Sequence, residues 1–341
     1  MKKMKKLLCA ALAGVMVLAL AACGSTDDTS NPTADPAASP SSVTGESTAA
    51  QYVVGICQQM THDALDQATQ GFKDALNEIL GEGVVEFREQ NASGEQTNCT
   101  TIMDGFVSEG VDLILANATW PLQAAASATS EIPVLGTSVT DYATALGITD
   151  WTGTVGGNIS GTSDLAPLDQ QAAMIQELFP DAKNVGLLYC SGEPNSVYQV
   201  ETITGYLEDM GYTCTPYAFT DVNDLSSVTQ TACDGSDVIY IPTDNTAAAN
   251  TETIANVVLA AGVPVVAGES GICSGCGVAT LSISYYDIGY TTGEMAAQIL
   301  QGEADISTMP IQSAPNVTKM YNAANCEALG ITIPEGYEAI A

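Results

Sequence analysis

The chain carries the same pattern twice, and that duplication restricts the folds open to it. Gly110-Val111-Asp112-Leu113-Ile114-Leu115 returns as Gly235-Ser236-Asp237-Val238-Ile239-Tyr240. Each apolar run stops at a polar triplet, Asn117-Ala118-Thr119 in one copy and Thr243-Asp244-Asn245 in the other. An alanine-rich stretch follows, then a second apolar run opened by proline: Ile132-Pro133-Val134-Leu135-Gly136 and Val263-Pro264-Val265-Val266-Ala267. The openings of the halves match as well. Val54-Gly55-Ile56 precedes a helical stretch with Gly71-Phe72, and Val185-Gly186-Leu187 precedes one with Gly205-Tyr206. Strand runs that alternate with helical stretches build parallel sheets. Two such lobes without a cofactor motif point to similar domains that close on something held between them.

At 341 residues and 46% hydrophobic content the chain can fill two cores. Its formal net charge of −32 repels nucleic acid and acidic membrane surfaces, so neither is expected as a partner. Four of the eight basic residues (Lys2, Lys3, Lys5, Lys6) open the chain, and an apolar run from Leu7 to Leu20 follows. That is a targeting segment, too short for a comfortable membrane span. It ends in Leu20-Ala21-Ala22-Cys23-Gly24, which resembles a bacterial lipobox, so residues 1–22 are expected to be removed and Cys23 lipidated. Residues 23–50, rich in Ser, Thr, Pro and Ala, form the lipidated start and a tether without a core. The body is then extracytoplasmic and touches the membrane through the anchor only. Eight further cysteines suit an exported protein that permits disulfides. Cys273 and Cys276 could form a local disulfide or stay free. A zinc site would need more ligands than His62, the only histidine, supplies from far away in sequence, so no metal and no cofactor is expected.

The pattern predicts an α/β chain of two doubly wound parallel-sheet lobes joined by crossover hinges. The first lobe is expected at residues 51–155 with a return at about 286–305, and the second at 156–285 with about 306–341. The Gly-, Asn- and Ser-rich run from Trp151 to Gly161 reads as the first crossover.

Ligands of such sheets bind beyond the carboxyl ends of the strands, at free helix N-termini. That rule selects Gln59, His62, Thr119, Trp120, Ser138, Thr140 and Asp141 in the first lobe. In the second it selects Glu193, Asn195, Ser196, Tyr198, Asp244, Asn245, Glu269 and Ser270. Each polar member is also what a helix N-cap wants; their convergence on one cleft is what argues for ligand contact. Arg88 is the only arginine and lies in a strand-like run, which disfavours a guanidinium clamp on a ligand carboxylate. Ser138, Thr140, Asn195 and Ser196 could hold an anionic group, and Asp141, Glu193, Asp244 and Glu269 an ammonium. Trp120, Tyr142, Tyr198 and Tyr286 fall at or near these loops as platforms for an aromatic or cationic ligand, as lid residues or as core anchors. No nucleophile elbow, P-loop or dinucleotide fingerprint is present, and a triad would have to use His62.

Several runs in order carry a family resemblance: His62-Asp63-Ala64-Leu65-Asp66, Gly71 to Leu76, Gly156 to Asp164, Asn195 to Glu201, Pro242-Thr243-Asp244-Asn245-Thr246 and Gly330 to Pro334. Together they resemble the ABC-transporter substrate-binding lipoproteins of the type I periplasmic-binding fold, the group that includes tryptophan- and tyrosine-binding members. The resemblance implies capture of a small molecule at the cell surface and its delivery to an ABC permease with its ATPase, and a monomeric, non-enzymatic receptor is expected. It places Asn195, Ser196, Asp244 and Asn245 at the site. The chain departs from the family at His62-Asp63, Thr119-Trp120-Pro121 and Asp141-Tyr142, two of which are expected to add a ring to the cleft. An aromatic amino acid or similar zwitterion is the expected ligand. A sugar or nucleoside, or a sensor role with a signalling partner, is the alternative.

Overall fold

The computed structural model describes residues 50–314 and 316–340. The targeting segment, Cys23 and the tether up to residue 49 lie outside the described residues. From Tyr52 the chain alternates strand and helix. It runs β1 (Tyr52–Gln58), α1 (Asp63–Leu80), β2 (Val85–Asn91), α2 (Gln96–Glu109), β3 (Leu113–Asn117), α3 (Thr119–Ala128), β4 (Val134–Val139), α4 (Tyr142–Leu146) and β5 (Ile159–Ser163). It crosses and repeats as α5 (Leu168–Leu178), β6 (Asn184–Cys190), α6 (Pro194–Asp209), β7 (Thr213–Phe219), α7 (Val222–Gly235) and β8 (Val238–Ile241). This half continues through α8 (Asn245–Ala248), α9 (Thr251–Ala261), β9 (Val265–Ala267), α10 (Ser270–Gly275) and β10 (Ala279–Ser282). The chain returns through α11 (Tyr285–Leu300) and β11 (Gln312–Ser313), then ends in β12 (Thr318–Tyr321), α12 (Ala323–Leu329) and β13 (Glu338–Ala339).

The duplication is visible in the sheets. One is ordered β2-β1-β3-β4-β5-β11 and the other β7-β6-β8-β9-β10-β12-β13, so both share a doubly wound 2-1-3-4-5 core. The strands of that core are parallel in each lobe. Central strands β3, β4, β8 and β9 are buried along their whole length, which is why each opens as an apolar run. Edge strand β2 has one buried residue, Val85.

The first crossover lies later than the sequence suggests. β5, inside the run read as a hinge loop and second-lobe start, joins the first sheet beside β4, so the chain crosses after Ser163. The return to the first lobe likewise extends past residue 305, because β11 pairs with β5. The reason is hydroxyl chemistry. β5 is polar in composition, yet Ser160 Oγ donates to Met309 O at 3.0 Å and Thr162 Oγ1 pairs with Thr292 Oγ1 at 2.8 Å. A hydroxyl that finds a partner can be buried at little cost.

Helix α11 packs on α1 at a contact that only glycine allows. A Cβ on Gly289 would lie 2.0 Å from Ala68 O, and one on Gly71 would lie 2.1 Å from Tyr286 O. Gly289→Ala is therefore expected to destabilise the chain by about 1–3 kcal/mol or more. Gly105→Ala, where a Cβ meets nothing within 4 Å, should be neutral or stabilise by up to about 1 kcal/mol. Urea midpoints compare the two; equal midpoints would show that the helices are free to separate.

Candidate functional site

The carboxyl ends of both sheets face one another, and one cavity lies between them. Leu65, His62 and Ser138 line it from the first lobe, Asn195, Thr243, Asp244, Asn245, Ala248 and Glu269 from the second, and Asp164 and Tyr285 from the crossovers. The lobes are closed on it. The centre of a water-sized sphere has only about 10 Å³ to move in, about what one water requires.

The cavity wall is dominated by acceptors. Asp164, Asp244 and Glu269 are 4%, 1% and 2% exposed, and no lysine or arginine is among the described residues that line the cavity. Burial is the main cause that raises all three carboxyls. Asp244 reaches about 7, with help from the charge of Glu193, and Glu269 also reaches about 7. Asp164 is raised too, although hydrogen bonds from Tyr285 and Thr140 oppose the shift. Each carboxylate is held in place by donors of its own. Asp244 caps α8 through Ala247 N at 2.8 Å and accepts Cys190 N at 2.7 Å. Glu269 caps α10 through Gly271 N and Ile272 N. Asp164 accepts Thr140 Oγ1 and Tyr285 Oη, both at 2.9 Å.

A hydrogen-bond relay assigns the protons of His62. Glu193, fully buried, accepts from Asn195 Nδ2, Asn245 N, Asn245 Nδ2, Thr246 N and Thr246 Oγ1. The Asn245 amide therefore points its nitrogen at Glu193 and its oxygen at His62 Nε2, 3.1 Å away across the lobes. Nε2 must carry the proton that this bond shares. Burial also lowers the pKa of His62, against the smaller pull of Asn245, Glu193, Asp66 and Asp63. The neutral ring then presents Nδ1 as an acceptor. His62 Nδ1, Asn195 Oδ1 and Ser138 Oγ are buried without a partner among the described residues. An unsatisfied buried polar atom costs about 1–3 kcal/mol, and here three line one cavity. Two of them are acceptors; Ser138 supplies the free hydroxyl donor.

The backbone is strained at the same edge. Among the described residues, Ser93, Ala118 and Ser138 are the non-glycine residues at positive φ, with values of 56°, 96° and 55°. They follow or close β2, β3 and β4 at the cleft end of the first sheet. Such positions concentrate at ligand sites.

The cavity thus gathers His62, Ser138, Asn195, Asp244, Asn245 and Glu269 of the residues selected from sequence. Thr140 and Ser196 are buried one layer behind it. Glu193 orients Asn245 rather than facing the cavity. Gln59 is buried with its Oε1 accepting Trp120 N, and its Nε2 lacks a partner among the described residues. Thr119 is buried at the start of α3. Ser270 lines a separate cavity near the hinge. Asp141 caps α4 through Thr144 N, and Tyr198, on α6, is half-buried outside the cavity. Trp120 sits at the rim, where its Nε1 donates to Gly192 O of the other lobe at 3.2 Å. The ring expected from Tyr142 is not in the cleft: it is 1% exposed in the first-lobe core, and its hydroxyl donates to Thr162 O. Tyr286 lies on α11, where its hydroxyl donates to Asp74. Leu65, Asp164, Thr243, Ala248 and Tyr285 were not selected. Asp164 could have been, had β5 been read as a strand that ends just before it. All eight cysteines among the described residues are free.

A model of the ABC transporter substrate binding protein family matches residues 53–341. The tyrosine-binding protein of Clostridioides difficile (strain R20291) is 30% identical over 333 residues, covering 96% of this chain and 93% of that one. Among solved structures, an ABC domain from Streptococcus pneumoniae in complex with L-Trp is 31% identical with a TM-score of 0.81. The match covers 85% of this chain and 100% of that one. A ligand-free, open substrate-binding protein from Clostridium difficile is 32% identical and matches 85% of this chain and 99% of its own, with a TM-score of 0.66. At nearly equal identity the chain as a whole superposes more closely on the complex than on the open form.

Proposed function

The chain belongs to the ABC transporter substrate-binding protein family, and on that premise we propose that it captures tyrosine or tryptophan between its lobes and delivers it to an ABC permease. It is a binding protein rather than an enzyme. One observation carries the amine half of the proposal. Three buried carboxylates and two unpartnered acceptors surround a cavity with no basic residue among its described lining. Buried charges are paired or they shift towards neutrality, and Asp244 and Glu269 have shifted. A ligand ammonium supplies the absent positive charge and three hydrogen-bond donors at once. Ser138 Oγ offers a donor to the ligand carboxylate. The aromatic half rests on relatives that bind tyrosine and tryptophan.

The closed cavity is far smaller than the ~300–1,000 Å³ of ordinary small-molecule sites, so the ligand enters with the lobes apart and is gripped as they close to a position wider than the one described here. Binding energy goes to the closed form because only there do His62 and Ser138 meet Asn195 and Asp244 across the gap. Hydroxyl donors also suit an acceptor-rich wall, which makes a polyol the second reading. Thermal unfolding with L-tyrosine, L-tryptophan and myo-inositol separates them, since a ligand bound only by the folded chain raises Tm with occupancy. One of the two amino acids should raise Tm by several degrees at a hundred times its Kd, from roughly 2.7 kcal/mol of added stability. A rise with inositol and with neither amino acid rejects the amine reading.

A further inference from the structure

We propose a second ligand site in a groove at the outer rim of the interlobe cleft, shaped for a small aromatic amine that lacks a carboxylate. The groove offers about 430 Å³, within the range of small-molecule sites. It shares no lining residue with the central cavity. The partition is thin. Thr61 faces the groove where His62 faces the cavity, and Thr246 faces the groove where Asn245 faces the cavity. The His62–Asn245 hydrogen bond spans the gap between these two edges.

The walls are apolar and come from both lobes: Met60 and Trp120 on one side, Val222 and Ala249 on the other. Val222 is 49% exposed, the highest value among the exposed large apolar side chains of the described residues. It opens α7, where no core needs it. Trp120 is tethered across the rim by its bond to Gly192 O. Its indole is therefore a fixed platform for a second ring or a cation. Ser93 lines the groove and Ala118 precedes the helix that carries Trp120, and both have positive φ. Glu95 of the first lobe and Asp221 of the second also line it, and no lysine or arginine is among the described lining residues. An ammonium is complementary to those carboxylates. A ligand carboxylate would meet them without a counter-charge, so the groove selects against amino acids and differs in class from the central site.

Because both lobes form its walls, the groove exists only when they are closed. An occupant stabilises closure, and by linkage it tightens the central ligand by the same factor that the central ligand tightens it.

Tryptamine titrated calorimetrically into the full chain tests this. Binding should be present, should persist in Asp164→Asn, and should weaken at least tenfold in both Val222→Lys and Ala249→Phe. The lysine sets a cation against a cation, and the phenylalanine fills the groove. Both positions are exposed, so the fold should survive, as an unchanged Tm would verify. Absence of tryptamine binding up to millimolar concentration overturns the proposal. So does binding that resists both groove substitutions and disappears in Asp164→Asn, which would place the amine in the central cavity.

Discussion

Asp164→Asn is expected to weaken the amine ligand by about 30- to 1,000-fold, the equivalent of roughly 2–4 kcal/mol for one charge contact in a partly shielded site. Asp164 is the cleanest carboxylate to neutralise. Its partners are the hydroxyls of Thr140 and Tyr285, and a hydroxyl can turn from donor to acceptor. An asparagine amide can therefore satisfy both without moving. Asp244 and Glu269 differ, because their partners are backbone N–H groups. An amide nitrogen turned towards an N–H loses the bond and costs about 1–3 kcal/mol. Those variants would mix a folding effect with a binding effect. Isothermal calorimetry of tyrosine and tryptophan, with Tm as the check on folding, reads the Asp164 result directly. Affinity unchanged within twofold would remove the ammonium from this side of the cavity.

Asp164 also shows where sequence reasoning ends. The doubled strand pattern makes the two lobes legible, because parallel strands buried on both faces must be apolar along their length. The polar strand ends make most of the cavity legible, because the carboxyl edge of such a sheet is where ligands bind. Asn195, Asp244 and Asn245 follow from that rule. β5 does not, since Ile159-Ser160-Gly161-Thr162-Ser163 lacks apolar alternation and is buried through hydroxyl pairs that form only in three dimensions. With β5 taken for a loop, Asp164 had no strand end to mark it. Tyr142 fails for the converse reason. It follows the β4 loop in sequence, but α4 turns it inward, and Asp141, beside it, spends its carboxylate on the cap. Glu193 matched the rule in position and not in role. Asn195, two residues on, is a local partner, but the four bonds of Glu193 to Asn245 and Thr246 are long-range contacts that no spacing predicts.

Acidification should release the ligand. Asp244 and Glu269 titrate at about 7 in the closed site, and an ammonium binds their ionised forms. Above that range both are already ionised and affinity is flat. Below it each must lose a proton on binding, so affinity falls by up to about tenfold per pH unit for each group. The fall from pH 7 to 5.5 should therefore exceed tenfold. His62 acts in the same direction: burial holds it neutral in the closed site, and protonation in the open form sets a second cation against the ammonium and removes the Nδ1 acceptor. Calorimetry at pH 6.5 in two buffers of different ionisation enthalpy should detect net proton release on binding. Stability of the unliganded chain has the opposite slope. A carboxyl raised from 3.8 or 4.5 to about 7 contributes most below those ordinary values and loses that contribution as pH rises through 7. For these two groups the free chain thus weakens towards alkaline pH while the loaded chain does not, and the ligand-induced rise in Tm should widen from pH 5.5 to 8. A neutral polyol would release no protons and give a constant rise, and either result would show that the carboxylates do not grip a cation.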